Sequence, residues 1–309
     1  MKRKIILWGY PHGSHTHSYL YYGMKRAFEY LGQEVHWFHD QQYPSPSDFN
    51  YEDSIFLVDN QGRTDINVPI IASGIYISYD VFTDLNKYLG NVKGLVNYRV
   101  AEYKQPLPDG KRYVEVEKGI VFDTEAEEEY NVVHLHYGTN LLPNEIDLEW
   151  AKKKRNNEYN FVGTIHAPRP NAPPIHQEFI EIVKKNNIIF NHRDPWINPA
   201  NETENVDLMQ RSIFVGDFRP AEQKAMRYTA DRIMKAISYG CLVVSDAPYA
   251  QEFIDKDLLV SENPQEIFDM GMENQYNIEF ITHLMEVIRR DHTWVNRCRG
   301  LLSLSLIHI

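Results

Sequence analysis

The chain has 309 residues, with 32 Lys and Arg against 43 Asp and Glu, a formal charge of −11. That acidic balance excludes the basic field that non-specific binding to nucleic acid or an anionic membrane needs. Apolar residues make up 43% and aromatic residues 13%, with 20 Tyr, so the chain can bury a core and is not a disordered polymer.

The opening, MKRKIILWGYPHG, is basic and then apolar, but its apolar run stops at Trp8. That is too short for a secretory signal and reads as a first strand, Ile5 to Trp8, closed by Gly9. No later run approaches the ~18–20 apolar residues that span a bilayer. A loop rich in Gly, Pro, Ser and His follows, and then Tyr19, Tyr22, Ala27, Phe28 and Leu31 fall at helical spacing with Gly32 as a C-cap. Val35 to Phe38 is the next strand. This β-loop-α-β opening predicts a Rossmann-like domain. Further strands are expected at 54–59, 69–77, 94–96 and 132–135, and the acidic stretch 123–129 as a solvated loop.

Between Leu141 and Arg155 the texture changes. Pro143 and Asn144 break the chain, and a charged helical stretch ending in Lys152-Lys153-Lys154-Arg155 is expected as a solvated linker. A second α/β series begins at a strand over 159–163. Helices are expected at 177–185, 206–211, 230–240, 249–254, 264–270 and 277–290, with strands at 188–190, 213–215, 242–245 and 258–260. Regular alternation with short connections predicts a parallel sheet covered on both faces. The domains are therefore 1–145 and 146–300. The tail 301–309 has no clear place in either, and its LSLIHI resembles translated sequencing adapter, so a non-native or truncated end is expected. Cys241 and Cys298 share no short motif, which excludes disulfide and zinc frameworks and points to a reducing, cytoplasmic compartment.

The most informative segment is Tyr228 to Asp246, YTADRIMKAISYGCLVVSD. On a helix at about 100° per residue, Arg232, Lys235 and Tyr239 share one arc, and Ile233, Ala236, Ile237 and Gly240 share another. Cations near a helix N-terminus, with its free N–H groups, suit a diphosphate. The same spacing also fits an ordinary amphipathic helix with a solvated Arg/Lys face.

This segment resembles the donor-site motif of GT-B glycosyltransferases, in particular the spore-maturation CgeB-like group and related group 1 enzymes. The pattern is Arg, two residues, an acid, Ala, three residues, Gly, then an apolar strand ending near Asp or Asn. Arg232, Ala236, Gly240 and Asp246 match it, whereas Lys235 stands at the acidic position and cannot accept the ribose hydrogen bonds that the family's acid commonly takes. Phe161-Val162-Gly163-Thr164, the segment from Tyr137 to Pro143, and His292-Thr293-Trp294 with Arg297 are similar to other parts of the family's pattern. The resemblance covers most of 137–299. It implies an α/β fold of GT-B type, two Rossmann-like domains facing across a cleft, with the acceptor on the first and the donor on the second.

The implied activity is a hexosyltransferase-like glycosyl transfer from a nucleotide-diphosphate sugar to a hydroxyl on a glycan, protein or small molecule, with no metal or other cofactor and no nucleic-acid partner. The implied donor-binding residues are Gly163, Thr164, Arg219, Tyr228, Arg232, Lys235, Ser238, Tyr239 and Gly240. His15 and His17, in the loop after the first strand, are the candidate general bases for an inverting transfer. That loop can equally be a polar segment that caps the helix after it. Two other readings stand beside this one. The first is a GT-B-shaped binding protein without turnover, which Lys235 motivates. The second is a metal-dependent hydrolase built on the pairs His15/His17 and His134/His136. Asp255-Lys256-Asp257 has an Asp-x-Asp spacing, but its place late in the series predicts a solvated turn.

Overall fold

The computed structural model describes residues 3–14, 16–59, 67–79, 93–99, 113–117, 120–123, 131–163, 165, 174–194 and 197–307. The chain divides into two compact units, one of Met1–Leu142 with Trp294–Ile309 and one of Pro143–Thr293.

The first unit is built on β1 (Ile5–Trp8), whose four side chains are all fully buried, so it is a central strand with both faces covered. Helix α1 (Thr16–Tyr30) follows and ends at Gly32, whose φ of 72° is the left-handed turn that glycine adopts without strain. β2 (Val35–Phe38) pairs parallel on one side of β1, and β3 (Ile55–Asp59) on the other. β4 (Ile75–Tyr79), β5 (Gly94–Arg99) and β8 (Asn131–Leu135) extend the parallel sheet. Between β5 and β8 the chain inserts the hairpin β6 (Tyr113–Glu117) and β7 (Ile120–Asp123), paired antiparallel at one edge. Among the described residues the order is β2-β1-β3-β4-β5-β8-β7-β6.

Two expectations change here. The strand expected over 69–77 begins only at Ile75, because the chain first closes a turn in which the Gly74 N–H donates to Ile71 O. The β6–β7 hairpin was not anticipated. Of the stretch 123–129 read as a loop, Asp123 ends β7 and the remainder lies outside the described residues.

Residues 294–307 form one helix, α9 (Trp294–Ile307), which packs on α1 within the first unit. This differs from the expected boundary at 300 and from a tail without a place in either domain. The contact is steric. A Cβ on Gly23 would stand 2.5 Å from Trp294 Cδ1, so only glycine lets the indole lie against α1. Arg297 is fully buried beside it and donates from Nε to His136 O at 2.9 Å and from Nη2 to Tyr137 O at 3.3 Å.

The second unit alternates strand and helix: β9 (Glu158–Val162), α2 (Pro174–Lys185), β10 (Ile189–Arg193), α3 (Glu202–Arg211), β11 (Val215–Asp217), α4 (Ala221–Ala225), α5 (Asp231–Ser238), β12 (Val243–Ser245), α6 (Tyr249–Phe253), β13 (Leu259–Val260), α7 (Pro264–Asn274) and α8 (Ile278–Asp291). All its strand pairs are parallel, β10 with β9 and β11-β12-β13 in line. The two groups meet where the Ile213 N–H donates to Glu158 O at 2.9 Å and the Asn160 N–H donates to Ser212 Oγ at 3.0 Å. Ser212 thus stands in for a ladder bond where α3 runs into β11.

The basic run 152–155 is not a solvated helix. A short 3-10 turn spans Leu148–Lys152, and Arg155 is buried. Its guanidinium donates to Gln275 O at 2.9 Å and to Gly240 O at 3.0 Å. Gly240 itself has φ of 78°, and a Cβ there would lie 2.6 Å from the Trp150 carbonyl carbon. Arg155 therefore bonds carbonyls at two turns that end helices. We expect Arg155→Ala, which leaves the buried Gly240 carbonyl and the part-buried Gln275 carbonyl without this donor, to cost about 2–4 kcal/mol in urea unfolding. A loss below about 1 kcal/mol would mean that these bonds are not structural.

Candidate functional site

Strand β9 ends in Phe161-Val162 and turns at Gly163, at the carboxyl edge of the parallel strands, where open α/β sheets bind ligands. The Gly163 N–H donates to Arg193 O at 2.9 Å. Its carbonyl receives a bond from His192 Nε2 at 2.6 Å, which requires the proton on that nitrogen. Arg232, in the first turn of α5, reaches this turn. Its Nη2 donates to Val162 O at 2.8 Å, and its guanidinium carbon sits 4.2 Å from the centre of the Phe161 ring. A Cβ at position 163 would collide with Arg232 Nη2, so the glycine and the arginine require one another.

Burial first, and then repulsion from Arg219, lowers the Arg232 pKa, but a guanidinium stays charged at neutral pH. The N-cap of α5, Ala230, has no side-chain cap hydrogen bond. The helix therefore presents its first N–H groups and positive dipole end without an internal side-chain acceptor.

The neighbouring cations are differently placed. Arg219 is held in a fork by Asp217, with Nε 3.0 Å from Oδ2 and Nη2 on Oδ1. Its backbone N–H donates to Asp246 Oδ1 at 2.8 Å, and its guanidinium lies 5.4 Å from the Tyr228 ring centre. Burial works to discharge Arg219, but the charge and hydrogen bonds of Asp217 outweigh it and leave its pKa raised. Asp246 is fully buried, and burial raises its pKa against the opposing pull of the Arg219 N–H and of Lys224, whose Nζ is 3.4 Å from Oδ2. Lys224 also meets Glu262 at 3.0 Å. Lys235 Nζ donates to Asp231 Oδ2 at 2.6 Å, one helical turn away. Of Arg219, Lys224, Arg232 and Lys235, only Arg232 has no carboxylate at ion-pair distance among the described residues.

The structure therefore brings together Gly163 and Arg232, with Arg219 on Tyr228 in the loop that leads to α5. It does not bring Ser238, Tyr239 and Gly240 to the same place. They lie at the far end of α5, about 10 Å along the axis at 1.5 Å per residue. Tyr239 is buried rather than on an exposed cationic face. Ser238 Oγ donates to Lys235 O at 2.8 Å. Together with Gly240 these residues close the helix.

Thr164 and His15 lie outside the described residues, as does the side chain of His17, which is in the first turn of α1. In the same loop, Ser18 Oγ accepts from the Gly13 N–H at 2.9 Å, and His12 stacks on Tyr22 with ring centres 4.2 Å apart. His134 and His136 are buried, and no group of three or more His, Cys, Asp or Glu among the described residues could hold a metal ion. Asp255-Lys256-Asp257 is a turn in which the Asp257 N–H donates to Asp255 Oδ1 at 2.9 Å. Sequence reasoning did not single out Asp217, Asp231, Lys224 or His192. Asp231 and Lys235 do stand at the i, i+4 spacing of a helical ion pair, so that pair was readable.

No family model matches the chain, and no curated protein does. Solved structures do match. An alpha-glucosyltransferase in complex with UDP and a 13-mer DNA containing a central A:G mismatch superposes with a TM-score of 0.58 at 9% identity, covering 99% of this chain and 100% of its own. An alpha-glucosyltransferase in complex with UDP-glucose and DNA containing an abasic site also gives 0.58 at 9% identity, with 99% of each chain covered. MnaA of S. aureus in complex with UDP gives 0.52 at 10% identity, covering 99% of this chain and 96% of its own. With the parallel strand orders of both units, these likenesses define the fold as GT-B. The match rests on architecture, since nine residues in ten differ from each neighbour.

Beneath the Arg232–Phe161 contact lies His176, buried, with Nε2 3.0 Å from Tyr159 Oη and its ring 4.4 Å from that of Phe161. Burial, and then Arg232, His192 and Arg219, push its pKa down to about 3. The native ring stays neutral, while the unfolded chain takes up a proton near the ordinary value of about 6.5. The stability that His176 contributes is thus complete above pH 6.5 and is lost as pH falls toward 3. We expect a cost of about 1.4 kcal/mol per pH unit between 6.5 and 5, and His176→Gln to flatten that slope in pH-dependent unfolding. An unchanged slope in the variant would contradict the assignment.

Proposed function

We propose that this protein is a glycosyltransferase that moves a sugar from a nucleoside-diphosphate sugar to a hydroxyl acceptor, of the CgeB-like kind that the sequence resembles. The observation that carries the reading is the Arg232 guanidinium, free of any carboxylate among the described residues, held over Phe161 at an uncapped helix N-terminus beside a glycine turn. Negative charge grows on the diphosphate as the glycosidic bond breaks. A preorganised cation and helix dipole aimed at that group stabilise the transition state more than the ground state. Arg232 would bind the phosphate oxygens, and Gly163 would let the chain approach them closely, with Thr164 beside it.

Arg219 and Lys235, each already held by an acid, would set the local field and the loop geometry, with Tyr228 packed against Arg219. Ser238, Tyr239 and Gly240 would act through the helix end. His15 or His17 would take the proton from the acceptor hydroxyl. In this reading the positive charge at the leaving group comes from the protein, so a hexosyl transfer proceeds without a metal.

The bound nucleotide of the structural neighbours is UDP, which makes it the first donor to try. The acidic chain favours a glycan, protein or small-molecule acceptor. The DNA in two neighbours makes a duplex the necessary control. Two free, buried cysteines and the absence, among the described residues, of any helix long and apolar enough to cross a membrane accord with a cytoplasmic site of action. Lys235 favours a second reading, a binding protein without turnover, in which the same ligand would bind and no sugar would move.

The test is thermal denaturation with UDP, GDP, ADP, CDP or dTDP, with and without EDTA, for the wild type, Arg232→Ala and Arg232→Lys. Ligand at about 100 times its dissociation constant should add roughly 2.7 kcal/mol. One diphosphate should raise the melting point with EDTA present, lose that effect in the alanine variant and regain part of it with lysine. No shift with any diphosphate, or an equal shift in Arg232→Ala, would overturn the proposal.

A further inference from the structure

Next to the Arg232 turn, with which it shares Phe161, Val162 and His192, the second unit has a cavity of about 430 Å³ along β9 and β10, bounded on one side by α3. Its volume falls within the roughly 300–1,000 Å³ of small-molecule sites, but its lining is mainly polar, which does not suit an apolar ligand. Alternation along the strands puts Glu158 and Asn160 of β9 on the same face as Asn191 and Arg193 of β10, with Asn191 directly opposite Asn160. Leu208 and Arg211 of α3 add to the wall, and Phe161, Val162, Phe190 and His192 of the two strands line the rest.

The polar groups form a ladder. Asn160 is 2% exposed and spends both amide hydrogens, on Leu208 O at 3.0 Å and on Glu158 Oε2 at 3.1 Å. Its Oδ1 accepts from Asn191 Nδ2 at 2.8 Å. The amide of Asn191 is thereby oriented, with Oδ1 left as an acceptor at the exposed end of the ladder. Arg193, two residues on and on the same face, has no hydrogen bond or ion pair to its guanidinium among the described residues. Arg211 enters from α3, with Nε 3.2 Å from Asp207. Acceptors on Asn191 and Glu158 thus alternate with guanidinium donors around an apolar floor at Leu208.

That alternation has a chemical meaning. A hydroxyl both donates and accepts, so a row of vicinal hydroxyls is matched by a wall that mixes the two. Glu158 and Asp207 offset the charges of Arg193 and Arg211, so the wall has no net charge to favour an anion, and an anion would leave the Asn191 oxygen unpaired. We propose that this cavity binds a neutral saccharide unit, on the Asn191 and Arg211 side that Arg232 does not reach and independent of any turnover at the Arg232 turn. It would hold part of a glycan chain against the second unit. The ladder, anchored on the buried Asn160, fixes its acceptors in advance, which lowers the ordering cost of a weak, polar ligand.

The experiment is an NMR titration of isotope-labelled protein with maltotetraose, cellotetraose and chitotetraose, each to millimolar concentration, and separately with inorganic sulfate. Asn191→Ala and Arg211→Ala are carried in parallel, with their melting points recorded. We expect at least one saccharide to shift amides of residues 158–162 and 189–193. Affinity should fall about tenfold in each variant, the effect of removing one hydrogen-bonding group, while the melting points hold. No shift in this cavity with any saccharide, equal affinity in both variants, or sulfate shifting these amides in place of the saccharides would overturn the proposal. Should one variant lose its fold, the other decides.

Discussion

The candidate site depends on a single fit, an arginine guanidinium lying on the backbone of a strand end that has no room for a side chain. Arg232 bonds Val162 O and covers Phe161, and Gly163 leaves the space it occupies. A charged hydrogen bond of this kind contributes about 1.5–3 kcal/mol, and the ring contact up to about 2 when desolvated. Together these fix the cation without a carboxylate. It keeps its charge available and its remaining N–H donors uncommitted, at the end of the sheet and at the start of a helix.

The surrounding charges make sense as support for that arrangement. Asp217 grips Arg219, Asp231 grips Lys235, and Asp246 with Glu262 holds Lys224. The Asp217 pair offsets Arg219, whose charge repels Arg232, and Asp217 and Asp231 themselves favour the charged Arg232. Asp246 also anchors the Arg219 N–H at 2.8 Å, which ties the turn between β11 and α4 to the end of β12. Below, the neutral His176–Tyr159 pair fills the core without adding charge. A cluster with four unpaired cations would be costly to fold. This one leaves the single cation that a diphosphate would meet.

The alternation of strand and helix was legible in the sequence because each buried strand is a short apolar run stopped by a turn signal, as in Ile5 to Trp8 before Gly9 and Leu242 to Ser245 before Asp246. The pair Gly163 and Arg232 was legible as two motif positions, but their mutual contact is a fact of tertiary structure. Three features were hidden for physical reasons. Residues 113–117 alternate Val with Glu, and that charge disguised an edge hairpin. Arg155 sits in a run of four cations that reads as solvated, yet two carbonyls 85 and 120 residues away draw it into the interior. Tyr239 falls on the cationic arc of a helical wheel, but the helix ends there and the ring turns inward.

The most direct test of the account is a crystal structure of the protein soaked with UDP. The account predicts the phosphate oxygens on the Arg232 guanidinium and the first N–H groups of α5, with the Asp217–Arg219 and Asp231–Lys235 pairs still closed. Phosphates seated instead on Arg219 or Lys235, with those pairs opened and Arg232 left on Val162 alone, would contradict it.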